Sequence, residues 1–202
     1  MSQYEPQRFA VLPPMVKHLL IINTLAYFAN YVLQMRGIPL NAICGLWDVH
    51  SPFFRLWQPV TYMFMHGNFS HLFFNMFSLW MFGCVLERYW GSRRFLFYYL
   101  ACGIGGGLLY LLVPGAHLTV GASAAIYALL LAFGMLFPNE YIYLYFLVPI
   151  KTKWFIVGMI AIELLLGVFQ TADHVAHFAH LSGMLIGLVL ILYWRKHPFS
   201  KF

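Results

Sequence analysis

Six apolar runs, at about 17–36, 69–87, 95–113, 122–137, 154–169 and 175–194, dominate the chain. Runs of roughly 20 residues with few charges have the length of helix that crosses a bilayer. In hydrocarbon every backbone polar group must be satisfied internally, so such runs fold as helices. The expected fold is therefore an all-α polytopic membrane protein, a compact six-transmembrane-helix bundle. Of the 202 residues 62% are hydrophobic and only 9% charged, whereas soluble domains carry roughly a quarter charged residues. Six crossings use roughly 120 positions and leave no room for a sizeable soluble domain. The expected division is a short tail over 1–16, a membrane domain over 17–195 and a second tail over 196–202.

Proline marks the loops independently: Pro39, Pro52, Pro59, Pro114 with Gly115, Pro138 with Asn139, and Pro149. Six crossings place both termini on one side. Basic residues in short loops mark the cytoplasmic face. One side holds Arg8, Lys17, Arg88, Arg93, Arg94, Lys151, Lys153, Arg195, Lys196 and Lys201, the other only Arg36 and Arg55. Both termini are thus expected in the cytoplasm, and the formal charge of +6 reads as membrane anchoring with no call for nucleic acid. The first 14 residues lack the basic start and cleavage site of a secretory signal, and the expected location is a bacterial inner membrane.

The stretch from Gly37 to Met65 forms a long external loop with Trp47, Phe53, Phe54 and Trp57, suited to lying among lipid headgroups. The fourth run is short for a crossing and follows a loop of small residues, VPGAHLTVGAS. Non-helical backbone at membrane depth survives when buried in protein or lining a wet cavity, so a water-filled outer cavity is expected. Cys44, Cys84 and Cys102 imply no disulfide framework.

Polar side chains inside spans are costly unless partnered and are functional suspects. HLFFN sets His71 and Asn75 on one face of the second run. GASAAIY opens the fourth with Ser123 and Tyr127, and DHVAHFAHLSG opens the sixth with His174, His177 and His180. Spans two, four and six run from outside to inside, so His71, Asn75, Ser123 and His180 share a band roughly 10 Å thick near the outer face. A serine hydroxyl becomes a useful nucleophile when a histidine accepts its proton. His180 can be that base. His71 and Asn75 can donate to a developing oxyanion, as can the amide of Ser123 in the unpaired first turn of its helix. Gly121 permits a sharp turn before the serine, Tyr127 can pack on the ring of His180, and Gly183 with Gly187 forms a GxxxG that presses helix six onto helix four. Acyl transfer is the reaction class this set allows, and Ala122, Ala124 and Ala125 suggest tight surroundings that favour small residues at a cleavage site.

HLFFN, GASAAIY and AHLSG followed by Gly187, in that order on three of six helices, resemble the motifs of the rhomboid intramembrane serine proteases over about positions 17–195. The resemblance implies a six-helix bundle holding a Ser-His dyad in a cavity open to the outside. It implies Ser123 as nucleophile, His180 as base, His71 and Asn75 as the oxyanion-stabilising pair, Tyr127 as the residue stacked on the base, and Trp57 as a tryptophan of the membrane-lying loop. Two supports depart from the family pattern: Trp57 is followed by Gln58 rather than Arg, and the second helix ends Glu87, Arg88, Tyr89. The implied substrates are transmembrane proteins, met in membrane lipid, with no cofactor.

Two rivals remain at this level. His174, His177 and His180 with Asp173 offer ligands for Zn²⁺, but no HExxH general-base arrangement exists and no metal is expected; His174 and His177 are expected at the mouth of the cavity. His66 and His117 are expected in loops facing headgroups or water. A non-catalytic bundle that binds or chaperones other membrane helices is the second rival.

Overall fold

The computed structural model describes residues 12–113, 118–144, 147–169 and 177–197. Among them a long helix forms at each of the six apolar runs: α1 (Pro14–Gln34), α2 (Phe69–Trp90), α3 (Ser92–Tyr110), α4 (Ser123–Leu136), α5 (Thr152–Val168) and α6 (His177–Lys196). By length and composition α1, α2 and α6 are able to cross a membrane. The 14 residues of α4 span only about 21 Å, less than the ~30 Å hydrocarbon layer. That shortness has a packing counterpart. Ala124, Ala125, Ile126, Ala128, Leu129, Leu130, Leu131 and Ala132 are all buried, the signature of a helix enclosed on every side.

The outer helices show the reverse. Ile21, Leu25 and Phe28 on α1 and Val157, Ile162, Leu165 and Val168 on α5 are exposed, an apolar surface far larger than a water-soluble monomer carries. Lipid is the solvent that such a face matches.

Small residues draw α6 onto α4 and α3. A Cβ on Gly183 would run into the backbone of Ala124, and one on Gly187 into the Tyr98 hydroxyl; one on Gly106 would lie 3.0 Å from the Gly183 Cα. Without a hydrophobic drive between helices in lipid, such backbone proximity supplies the van der Waals attraction. The Ala124 methyl in turn faces Gly106 of α3, where an added Cβ would lie 3.1 Å from it.

Two short helical turns, Leu40–Cys44 and Gln58–Thr61, shape the first loop. Gln58 is fully buried at its centre. Its Oε1 accepts from the Trp47 N–H at 3.3 Å, and its Nε2 donates to the Ile43 and Phe53 carbonyls at 3.2 and 2.9 Å. The residue that departs from the family pattern is thus the loop's internal fastening. Trp57 is exposed, as are Phe53 and Leu56, and donates its indole N–H to the Ile43 carbonyl at 3.3 Å. The loop is tied to the segment before α4 by an antiparallel bridge between Leu46 and Thr119.

Three features differ from the sequence reading. Tyr141–Leu144 and Val148–Lys151 pair as an antiparallel hairpin between α4 and α5, in register Tyr141 with Lys151, where only proline-marked loop was expected. Among the described residues the fold is otherwise helical. Helix α2 contains a π turn over Leu79–Gly83, a single-turn widening of a kind that recurs inside α-helices. His66 is 1% exposed, so it does not face headgroups or water. Burial, with His71 beside it, pushes its pKa down to about 3, which leaves it neutral.

Candidate active site

The site is built where α4 begins. Gly121 takes φ +126°, a conformation L side chains rarely adopt, and a Cβ there would stand 2.6 Å from the His71 Nε2. Glycine is required on both counts. Its N–H donates to the Tyr62 carbonyl at 2.9 Å, while the buried Tyr62 hydroxyl donates to the Gly103 carbonyl at 2.6 Å. Chain direction at the start of α4 is thereby fixed from the first loop and from α3 together.

Ser123 is the first residue of α4, where backbone N–H groups have no intrahelical partner and the helix dipole favours negative charge. Its Oγ lies 2.8 Å from the His180 Nε2. His180 is buried in the first turn of α6, and the close seat of Gly183 on Ala124 carries its ring to the serine. The ring of Tyr127, one turn along α4 from Ser123, stacks on the His180 imidazole with centroids 4.2 Å apart and planes 8° off parallel.

His71 stands against Gly121, just before the serine. Its Nδ1 accepts weakly from the Gly67 N–H at 3.5 Å, which favours the tautomer with the proton on Nε2, the atom nearest Gly121. Asn68 caps α2 by accepting from the His71 N–H at 2.8 Å; capping is a role asparagine fills well. Asn75 is buried, and its Nδ2 donates to the His71 carbonyl at 2.8 Å. Its amide donor is thus seen bonded along its own helix, not turned outward to the serine.

The sequence reading passed over Glu163. It is 5% exposed on α5. One carboxylate oxygen, Oε2, lies 3.0 Å from the His180 Nδ1 and 2.8 Å from the His177 Nδ1, and the other accepts from the Tyr127 hydroxyl. His177 is accordingly buried against a carboxylate rather than lining a cavity mouth. A signal existed: Glu163 is an acid in the middle of an apolar run, which costs several kcal/mol unless donors surround it. Asp173 and His174, half of the metal reading, lie outside the described residues, as does His117. Glu163, His177 and His180 do gather three ligand-type atoms within 4.8 Å of one another.

The sequence is similar to those of known proteins. The Rhomboid domain profile matches residues 54–197, so the chain belongs to the rhomboid family of membrane proteins. Rhomboid-like protein 11, chloroplastic, of Arabidopsis thaliana is 31% identical over 203 residues, covering 89% of this chain and 65% of that protein. The rhomboid protein YdcA of Bacillus subtilis (strain 168) is 30% identical over 91% of this chain and 90% of its own length. Rhomboid-like protease 3 of Toxoplasma gondii is 29% identical over 71% of this chain. The chain spans about two thirds of the first of these and 53% of the third.

Proposed function

We propose that the protein is an intramembrane serine endopeptidase that hydrolyses peptide bonds in or near transmembrane segments of other proteins, with Ser123 as nucleophile and His180 as general base. The observation that carries this reading is the 2.8 Å contact between the Ser123 Oγ and the His180 Nε2 at the N-terminus of a helix. Membership of a family with relatives named as proteases supports it.

As the Oγ–carbon bond forms, the Ser123 proton passes to the His180 Nε2 and the carbonyl π pair moves onto oxygen. The oxyanion meets first-turn N–H groups of α4 and the Nε2–H of His71. Rotation would free the Asn75 amide to join them. When the tetrahedral intermediate collapses, the carbon–nitrogen bond breaks and the leaving amine takes the proton from Nε2. Water then attacks the acyl carbon as it gives a proton to the same nitrogen; the carbon–Oγ bond breaks, the Ser123 oxygen takes that proton back, and the carboxylic acid product leaves. A substrate helix must unwind first, since its own hydrogen bonds hide the scissile carbonyl. It enters from lipid between α2 and α5, or past the loop before α4, into a water-accessible outer cavity.

The accompanying topology is six crossings with both termini in the cytoplasm of a bacterial inner membrane. Ser123→Ala and His180→Ala are each expected to abolish cleavage of a model single-span substrate in proteoliposomes while leaving a folded, membrane-inserted protein. Wild-type cleavage by either variant would remove that residue from the mechanism, and cleavage by neither the wild type nor the variants would favour a non-catalytic helix-binding bundle.

A further inference from the structure

We propose that Glu163 is a positioning residue which, through His180, makes the serine site a Ser-His-Glu constellation; the inference rests on the protease reading above. An ionised carboxylate accepts hydrogen bonds and donates none. With Glu163 ionised, both imidazole nitrogens on its Oε2, at 2.8 and 3.0 Å, act as N–H donors. For His180 that placement decides the tautomer. With the proton on Nδ1, the Nε2 lone pair is left facing the Ser123 hydroxyl 2.8 Å away, the arrangement a general base requires.

Two neighbours lock the ring in complementary ways. The stacked Tyr127 ring fixes its plane, and the carboxylate fixes rotation within that plane. Tyr127 serves both restraints, because its hydroxyl donates to the other carboxylate oxygen. His177, one turn before His180, supplies the third donor and so satisfies a charge that burial would otherwise penalise heavily. During acylation the Ser123 proton arrives at Nε2 while Nδ1 keeps its own, and the ionised carboxylate faces the imidazolium that results. Glu163 is never protonated in the cycle, and the proton on Nε2 leaves with the amine. The same division of labour operates in soluble serine proteases with an aspartate behind the histidine.

A metal site built from Glu163, His177 and His180 is the competing use of these atoms. Ligand atoms about 2.0 Å from a tetrahedral ion lie roughly 3.3 Å apart, whereas the Glu163 oxygen is in direct hydrogen-bond contact with both rings. The second nitrogen of His180 is also already engaged by Ser123. Hydrogen bonding accounts for the geometry without an ion.

Glu163→Gln tests the proposal, since it keeps the shape, removes the charge and places an amide donor near the His180 Nδ1. Purified wild type, E163Q, Glu163→Asp and Ser123→Ala would be compared for cleavage of a single-span substrate, with thermal unfolding in the same detergent. E163Q is expected to lose about 100-fold or more in kcat with KM within about threefold. E163D, which restores the charge on a shorter arm, should recover at least about tenfold of that loss. In wild-type protein a low-field imidazole N–H proton resonance, assigned by its loss in His180→Ala, should be present and should disappear in E163Q. A kcat for E163Q within about twofold of wild type, with Ser123→Ala inactive, would reduce Glu163 to a packing residue. Loss of wild-type activity to a chelator, with a stoichiometric metal lost in E163Q, would assign the cluster to an ion instead. If E163Q fails to fold, the resonance in wild type and the activity of E163D decide. Cleavage by Ser123→Ala at the wild-type rate would remove Ser123 as the nucleophile, while the resonance would still report whether the Glu163 to His180 bond exists.

Discussion

Two carboxylates are buried among the described residues, Glu87 at 2% and Glu163 at 5% exposure, and their surroundings differ in kind. Glu87, near the end of α2, accepts from the backbone N–H groups of Met15 and Val16 at 2.9 and 2.8 Å and from the Ser92 hydroxyl at 2.6 Å. Helix α1 begins at Pro13 and Pro14, with no side-chain cap of its own. Glu87 satisfies two of its orphan donors and lends charge to the positive end of its dipole. Glu163 instead gathers two imidazoles and a phenol, one of them in contact with a hydroxyl. A carboxylate whose donors are backbone fastens a helix. A carboxylate whose donors are side chains with rotatable rings aims them.

The contrast can be broken by matched substitutions. The largest expected separation is in turnover, where E163Q loses about 100-fold or more and Glu87→Gln, assayed per folded molecule, stays within a few-fold of wild type. Stability should rank the other way. Glu87→Gln turns an amide donor toward buried N–H groups and removes a charge from a helix N-terminus, a cost of about 1–3 kcal/mol. Denaturant titration in mixed micelles would show it as a lowered unfolding midpoint. Equal losses of activity for the two variants, tracking equal losses of fold, would erase the distinction. Among changes around Glu163 the smaller effect is expected for Tyr127→Phe, which keeps the stack on His180 and deletes one donor to Glu163. A drop of about tenfold in kcat, from one hydrogen bond to a charged group worth about 1.5 kcal/mol, with little change in KM, is the outcome to check by steady-state cleavage.

The helices were legible because hydrocarbon leaves the chain so few alternatives. Each long apolar run became a helix within a few residues of where it was expected. Ser123 and His180 were legible for a related reason, since polar groups in such runs are rare enough to stand out. What stayed hidden depended on relations between distant segments. Nothing local says that Gln58 would be buried and tie Ile43, Trp47 and Phe53 together, or that His66 would end 1% exposed. The hairpin run YIYLYFLVPIK does carry β-forming residues, but Pro149 within it and Pro138 just before it read as loop. Asn75 shares a helix face with His71 as its spacing requires, yet the partner of its amide was set by the backbone one turn back. Glu163 is the instructive omission. Its position inside the fifth run was visible, whereas its partners come from α4 and α6 and emerge only when three helices converge.

Acylation at the proposed nucleophile is the most direct measurement. Detergent-solubilised protein treated with a fluorophosphonate should gain the mass of one phosphonyl group, mapped by peptide fragmentation to Ser123, and His180→Ala should gain none on the same timescale. A sample that cleaves substrate but carries no adduct at Ser123, or carries it equally in His180→Ala, would contradict a histidine-activated serine at the head of α4.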